Sequence, residues 1–235
     1  MNIVQRFFHS SLGKKYVMAL TGLALAMFVV GHLIGNLQLF LGREMINAYG
    51  HFLQTTPELI WPARVGLLAC VALHIWSAVR LSAENRAARP IQYSQAYKPV
   101  AASYASRTML MSGLIIAAFI VYHLLHFTAQ MQAINLVGKD FHTLMDAKGR
   151  HDVFAMMILG FSNPIVSGFY MLAMTLLCLH LSHGLGALFQ SLGLRNQSWS
   201  PVIERFGRRA AWIIWLGYIS IPVSILCGFG KEVMK

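Results

Sequence analysis

Residues 16–42 form a run of 27 positions without one Asp, Glu, Lys or Arg, and His32 stands near its middle. A hydrocarbon core about 30 Å thick is crossed by roughly 20 consecutive apolar residues of helix, so this run is long enough to span it. A polar imidazole inside such a run is costly to bury unless something binds it. Whatever the chain folds into has to give His32 a partner.

Four more charge-poor intervals follow, so the spans expected are about 16–42, 62–80, 107–130, 164–189 and 210–230. Arg64 lies close enough to the start of the second to snorkel to the interface. The uncharged interval 153–194 is too long for one span, and Asn163-Pro164 supplies the break and the start. Pro222 predicts a kink in the fifth. Only 11% of the residues are charged, against about 25% in ordinary soluble domains. The fold expected is all-α, one integral membrane bundle of five transmembrane helices. Residues 1–15 mix Val4, Phe7, Phe8 and Leu12 with Arg6, Lys14 and Lys15, the pattern of an amphipathic segment lying on the membrane surface. The first span exceeds the 7–15-residue apolar core of a signal peptide and is expected to be retained. Residues 82–106, with Pro90 and Pro99, read as an irregular connection.

Basic residues orient the chain, because retained cytoplasmic loops collect Lys and Arg. With the N-terminus cytoplasmic, the inner segments hold Arg6, Lys14, Lys15, Arg80, Arg86, Arg89, Lys98, Arg107, Arg195, Arg205, Arg208 and Arg209, twelve of the nineteen basic residues. The net charge of +11 is then mostly topology, and nucleic acid is not an expected partner. Cys70, Cys178 and Cys227 fall inside spans without paired spacing and read as packing residues.

The histidines are the informative pattern: His32 in the first span, His74 in the second, His123 and His126 in the third, His180 and His183 in the fourth. A lone intramembrane histidine usually bridges helices, but four consecutive spans carry one each. His32 lies seventeen residues past Lys15 and His123 sixteen past Arg107, about 25 Å in from the inner flank at the rise of an α-helix. His74 precedes Arg80 by only six residues, roughly 9 Å from that flank, and His180 is also far inward. Two pairs result, His32 with His123 in the outer half and His74 with His180 in the inner half, roughly 15 Å apart in height. Facing imidazoles across an apolar bundle match the axial ligands of a six-coordinate haem, so two haem groups are expected. Zinc, calcium and di-iron sites recruit thiolates or carboxylates, and no acid lies in the apolar spans. Gly31 and Gly35 bracket His32 and leave room for a planar cofactor or for close helix packing, and Gly184 and Gly186 after His180 invite the same reading. Depth alone does not choose between His123 and His126, or between His180 and His183. A spare imidazole suits a haem propionate, a quinone or a satisfied interface. Other polar groups at the span ends are Gln130, Arg64 and Glu58 on the outer side and Arg80 and Arg107 on the inner side.

The segments "SSLGKKYVMALTGLALAMFVVGHLIGNLQLF", "ALHIWSA", "VYHLLHF" and "CLHLSHGLGALF" resemble the cytochrome b subunit of succinate dehydrogenases and fumarate reductases, of the single-chain, five-helix, di-haem type. The resemblance runs over nearly the whole chain. It implies two haem b groups with His32, His74, His123 and His180 as axial ligands, and a flavoprotein and an iron–sulfur subunit docked on the cytoplasmic side of the cell inner membrane. Electrons would pass between that iron–sulfur subunit and a membrane quinone, with menaquinone the species suggested, while the chain itself would not touch the dicarboxylate. Some di-haem relatives are thought to move protons through a buried acid near a ligand. Cys178 stands two residues before His180 here, and that pathway is not expected. Two other readings stay open: a di-haem b subunit of a hydrogenase or formate dehydrogenase, and a haem-free membrane anchor or proton-coupled transporter.

Overall fold

In the computed structural model, residues 2–88 and 104–234 are described. Their regular structure is helical: α1 (Ile3–His9), α2 (Ser11–Leu37), α3 (Arg43–Thr55), α4 (Pro57–Ala87), α5 (Tyr104–Arg107), α6 (Met109–His123), α7 (Val153–Ser162), α8 (Pro164–Ser191) and α9 (Ser200–Leu226). Five segments are long and apolar enough to cross a membrane: Ser11–Leu41, Pro57–Ala87, Met109–Thr128, Pro164–Ser191 and Ser200–Leu226. Large apolar side chains stand exposed along them, with Met27, Ile34, Leu68, Leu172 and Ile213 at 59% to 68%. Side chains left out of the core at this density belong in hydrocarbon, where helices satisfy their own backbone. The all-α, five-helix membrane fold expected from the sequence is the fold observed.

Helix ends differ from the apolar intervals, for local reasons. Ser10 Oγ accepts the Gly13 N–H at 2.9 Å and donates to the Phe7 carbonyl at 2.8 Å, so α2 starts at Ser11 rather than at residue 16. A Cβ on Gly13 would lie 1.9 Å from that carbonyl, so the turn from α1 into α2 admits only glycine. The basic pair Lys14-Lys15 is thus helical: charge ends the lipid-facing stretch, not the helix. α4 begins at Pro57, a proline in the first turn. Pro62, expected as the start, lies inside the helix and leaves one carbonyl a turn earlier without its usual donor. α4 also runs on to Ala87, which shortens the expected connection at 82–106. Residues 89–103 of that connection, with Arg89, Pro90, Lys98 and Pro99, lie outside the described residues. These longer helices carry Glu58, Glu84 and Glu204 near their ends. Asp152 caps α7 by accepting the Ala155 N–H at 3.1 Å, and Asn163 Oδ1 accepts the Ile165 N–H at 2.9 Å to open α8 behind Pro164.

The chain divides into two compact units, and the division cuts all five long helices. One unit comprises Met1–Phe28, Val65–Leu114 and Leu179–Ala211. Within it Lys14 is only 3% exposed, and its ammonium donates to the His9 carbonyl at 2.8 Å and to the Glu84 carboxylate at 2.7 Å. The second unit comprises Val29–Arg64, Ile115–Cys178 and Trp212–Lys235. Its core joins Leu39, Ile46, Phe119, Phe154, Ile158, Phe161, Tyr170 and Ile225. A polar clasp ties α3 to the segment before α7. Fully buried Asn47 donates to Asp152 at 2.9 Å and to Asp146 at 3.3 Å, and its carbonyl accepts the Phe154 N–H at 2.9 Å. The Arg150 guanidinium bridges Asp146 at 2.7 Å and Glu44 at 2.8 Å.

Two predictions follow from these contacts. Glu84→Gln leaves a buried ammonium short of its anion, whereas Lys14→Met removes the charge itself. The first should therefore lower unfolding stability by about 1–3 kcal/mol in detergent and the second by less. At the clasp, the Arg150 guanidinium holds Glu44 down at about 2 and Asp146 below the ordinary carboxylate range. Both are lowered relative to the unfolded chain, so their contribution is whole above about pH 4.5 and fades as the pH falls toward 2. Hydrogen exchange of residues 43–55 and 144–153 should be unchanged from pH 7 to 5 and accelerate, after correction for intrinsic rates, only below about 4.5.

Candidate haem sites

Each unit holds one pair of the predicted histidines. In the first, His74 on α4 and His180 on α8 have ring centroids 6.3 Å apart with planes at 61°. The His74 Nδ1 lies 3.0 Å from the Met18 carbonyl and 3.2 Å from Thr21 Oγ1. A carbonyl only accepts, so Nδ1 carries the proton, and Thr21, whose own hydrogen goes to the Val17 carbonyl at 2.6 Å, accepts as well. His180 Nδ1 lies 3.4 Å from Ser112 Oγ, which is also 3.2 Å from the Met109 carbonyl. In the neutral His74 ring Nε2 is therefore the bare nitrogen. Glycines make the space: a Cβ on Gly22 would stand 3.0 Å from the His74 ring, and one on Gly113 would stand 3.4 Å from the His180 ring.

In the second unit, His32 on α2 and His123 at the end of α6 have centroids 5.7 Å apart and planes at 81°. Phe119 stacks on the His123 ring at 5.9 Å, and the Tyr218 ring lies 6.4 Å from His32 with its hydroxyl donating to the Val29 carbonyl at 2.8 Å. His123 is followed at once by a π-helical turn, Leu124–Thr128, a feature that recurs at functional sites because the inserted residue re-aims its neighbours. His126 lies in this turn, fully buried among the rings of Phe127, Phe141, Tyr122 and Tyr170. The Tyr170 hydroxyl lies 3.3 Å from His123 Nδ1 and 3.0 Å from His126 Nδ1.

The donor set and spacing fit haem iron. With a metal–imidazole bond of about 2 Å on each side and about 1.1 Å from nitrogen to ring centre, collinear rings flanking one metal have centroids roughly 6.2 Å apart. The His74/His180 separation of 6.3 Å is close to this, and the His32/His123 separation of 5.7 Å is about 0.5 Å shorter. Among the described residues no cluster of three or more His, Cys, Asp or Glu side chains stands ready for a metal ion, so zinc-like sites are not offered.

Other predicted positions are not brought to the pairs. His183 is half-buried, and among the described residues the ring hydrogen bonds given for its unit are those of His74 and His180. Arg64 lies over the Trp61 ring at 5.3 Å, and Glu58, Arg80 and Arg107 are exposed. Gln130, with a left-handed φ of 50°, donates its amide to His151 Nε2 at 3.1 Å while its buried Oε1 has no partner. Gly35 makes room for the Tyr49 ring, 2.8 Å from its would-be Cβ, whereas nothing approaches Gly31 or Gly186 within 4 Å and only Met109 reaches Gly184, at 4.0 Å. Sequence reasoning missed Gly22, Gly113, Thr21, Ser112 and Tyr170. Tyr170 alone carried a readable signal, a phenol in the middle of an apolar span. Comparison with family models, with curated proteins and with solved structures returns no match.

Proposed function

We propose that this chain is the di-haem b membrane-anchor subunit of a succinate:quinone oxidoreductase, carrying electrons between an iron–sulfur subunit and a membrane quinone. The observation that supports it most is the pair of two-histidine sites, each built from two apolar helices at axial-ligand spacing. The resemblance of the four histidine segments to that family's cytochrome b, and the basic flanks expected on the cytoplasmic face, select this assembly over other di-haem carriers.

His32 and His123 would hold one haem and His74 and His180 the other. A bound haem supplies a one-electron couple whose potential depends on its axial ligands and surroundings. The chain supplies the rest. Met18 and Thr21 keep the proton of His74 on Nδ1, so that ring presents its Nε2 lone pair in a fixed orientation, and Ser112 orients His180 through its Nδ1. The four rings are half-buried between apolar helices, and the neutral imidazole is the form that binds a metal. Quinone chemistry also needs protons at the membrane surfaces, where Gln130 and His151 on one unit and His183 on the other are the candidate polar groups.

In the purified complex, His32→Ala or His123→Ala should remove one b-type haem per chain and leave one, as counted by pyridine haemochrome. His74→Ala, His180→Ala or Gly22→Leu, which places a side chain where the His74 ring lies, should remove the other. Retention of both haems in His32→Ala and His74→Ala alike would overturn the ligand assignment. Haem that succinate fails to reduce in the intact complex, while dithionite reduces it, would overturn the assignment to this assembly.

A further inference from the structure

The two histidine pairs differ in what fixes their protons. At His74 the Nδ1 partners are acceptors, the Met18 carbonyl and Thr21, whose own hydrogen goes to the Val17 carbonyl. At His123 the partner is a phenol shared with a second imidazole, at 3.3 Å from His123 Nδ1 and 3.0 Å from His126 Nδ1. One hydroxyl has one hydrogen, so it donates to one of these nitrogens and accepts from the other. Two neutral arrangements exist. In the first, His123 Nδ1–H donates to the Tyr170 oxygen, Tyr170 donates to His126 Nδ1, and His126 carries its proton on Nε2. In the second, every hydrogen bond is reversed and His123 carries its proton on Nε2, which closes that nitrogen to a metal.

We propose that Tyr170 and His126 act as positioning residues that couple the tautomer of His123 to metal binding and hold the ring through its Nδ1. This rests on the reading of His123 as an axial ligand. Tyr170 is 6% exposed and wedged edge-on between Phe119 at 5.0 Å and Phe161 at 4.9 Å, so its hydroxyl stays between the two imidazoles. His126 is fully buried, and its Nε2 has no hydrogen-bond partner. In the metal-binding arrangement that atom is an unpartnered N–H, a state disfavoured in a dry nest. Ligation of His123 opposes that penalty, so occupancy of one site and the tautomer of a histidine that touches no metal are coupled. No proton enters or leaves. The His123 Nδ1–H bond to the phenol also makes the ring a stronger donor to iron, which favours the ferric state.

The test compares four forms of the purified complex by optical redox titration of each haem and by the low-spin ferric signals in electron paramagnetic resonance. Tyr170→Phe keeps the ring and removes the hydroxyl, and it should raise the midpoint potential of the His32/His123 haem and shift its ferric signal. His126→Leu leaves the phenol without its acceptor and should move the same haem in the same direction or lower its occupancy. His126→Asn restores an acceptor near the Nδ1 position and should return values close to wild type. The His74/His180 haem should not move in any of them. Should Tyr170→Phe fail to assemble, the two His126 variants carry the comparison. Two haems in wild type with unmoved potentials in Tyr170→Phe and His126→Leu, or equal shifts of both haems, would overturn this inference alone. Wild type without a haem at His32 and His123 would overturn the ligand reading beneath it.

Discussion

A neutral imidazole in an apolar helix has two nitrogens to satisfy and no water to help, and the architecture around the histidine pairs follows from that. For His74 one nitrogen donates to the Met18 carbonyl and Thr21, and for His180 the Nδ1 meets Ser112. The other nitrogen of each ring finds no donor in hydrocarbon. The paired rings, 6.3 Å and 5.7 Å apart, are what the proposed haem sites rest on. The glycines at positions 22 and 113 follow from the same need, since they admit the rings against neighbouring backbone.

Each compact unit supplies one pair from two of the long helices, but supports it differently. In the first unit the supporting hydroxyls, Thr21 and Ser112, belong to the helices that face the rings. In the second the support is a phenol on α8 together with a histidine in the π-helical turn after His123. The clasp of Asn47, Asp146, Arg150 and Asp152 anchors the segment leading into α7, whose Phe161 packs against Tyr170. The polar network outside the span is thereby joined, through packed side chains, to the ring that positions His123.

The five long helices were legible because a charge-free run of sufficient length has few other fates. Their ends were not, because charge reports solvent rather than backbone: Lys14 continues α2 by reaching Glu84, and Pro57 rather than Pro62 opens α4. The Asn163-Pro164 break was readable, since side-chain capping followed by proline is a local signal. Residues three apart in sequence suggested that His126 shares a face with His123, and both rings reach the Tyr170 hydroxyl, but the π-helical turn that carries His126 is announced by no local composition. The glycines near His32 drew attention because they are sequence neighbours, yet Gly22 and Gly113 serve rings on other helices. The partners Thr21, Ser112 and Tyr170 depend on tertiary neighbours and were not accessible as pairs.

The central claim is that these four histidines exist to hold haem. It is tested most directly by a reduced-minus-oxidised visible spectrum of the purified protein, with haem and protein quantified on the same sample. About two low-spin b-type haems per chain is the result the account predicts. A well-folded preparation without haem would contradict it and return the four histidines to bridging helices or relaying protons.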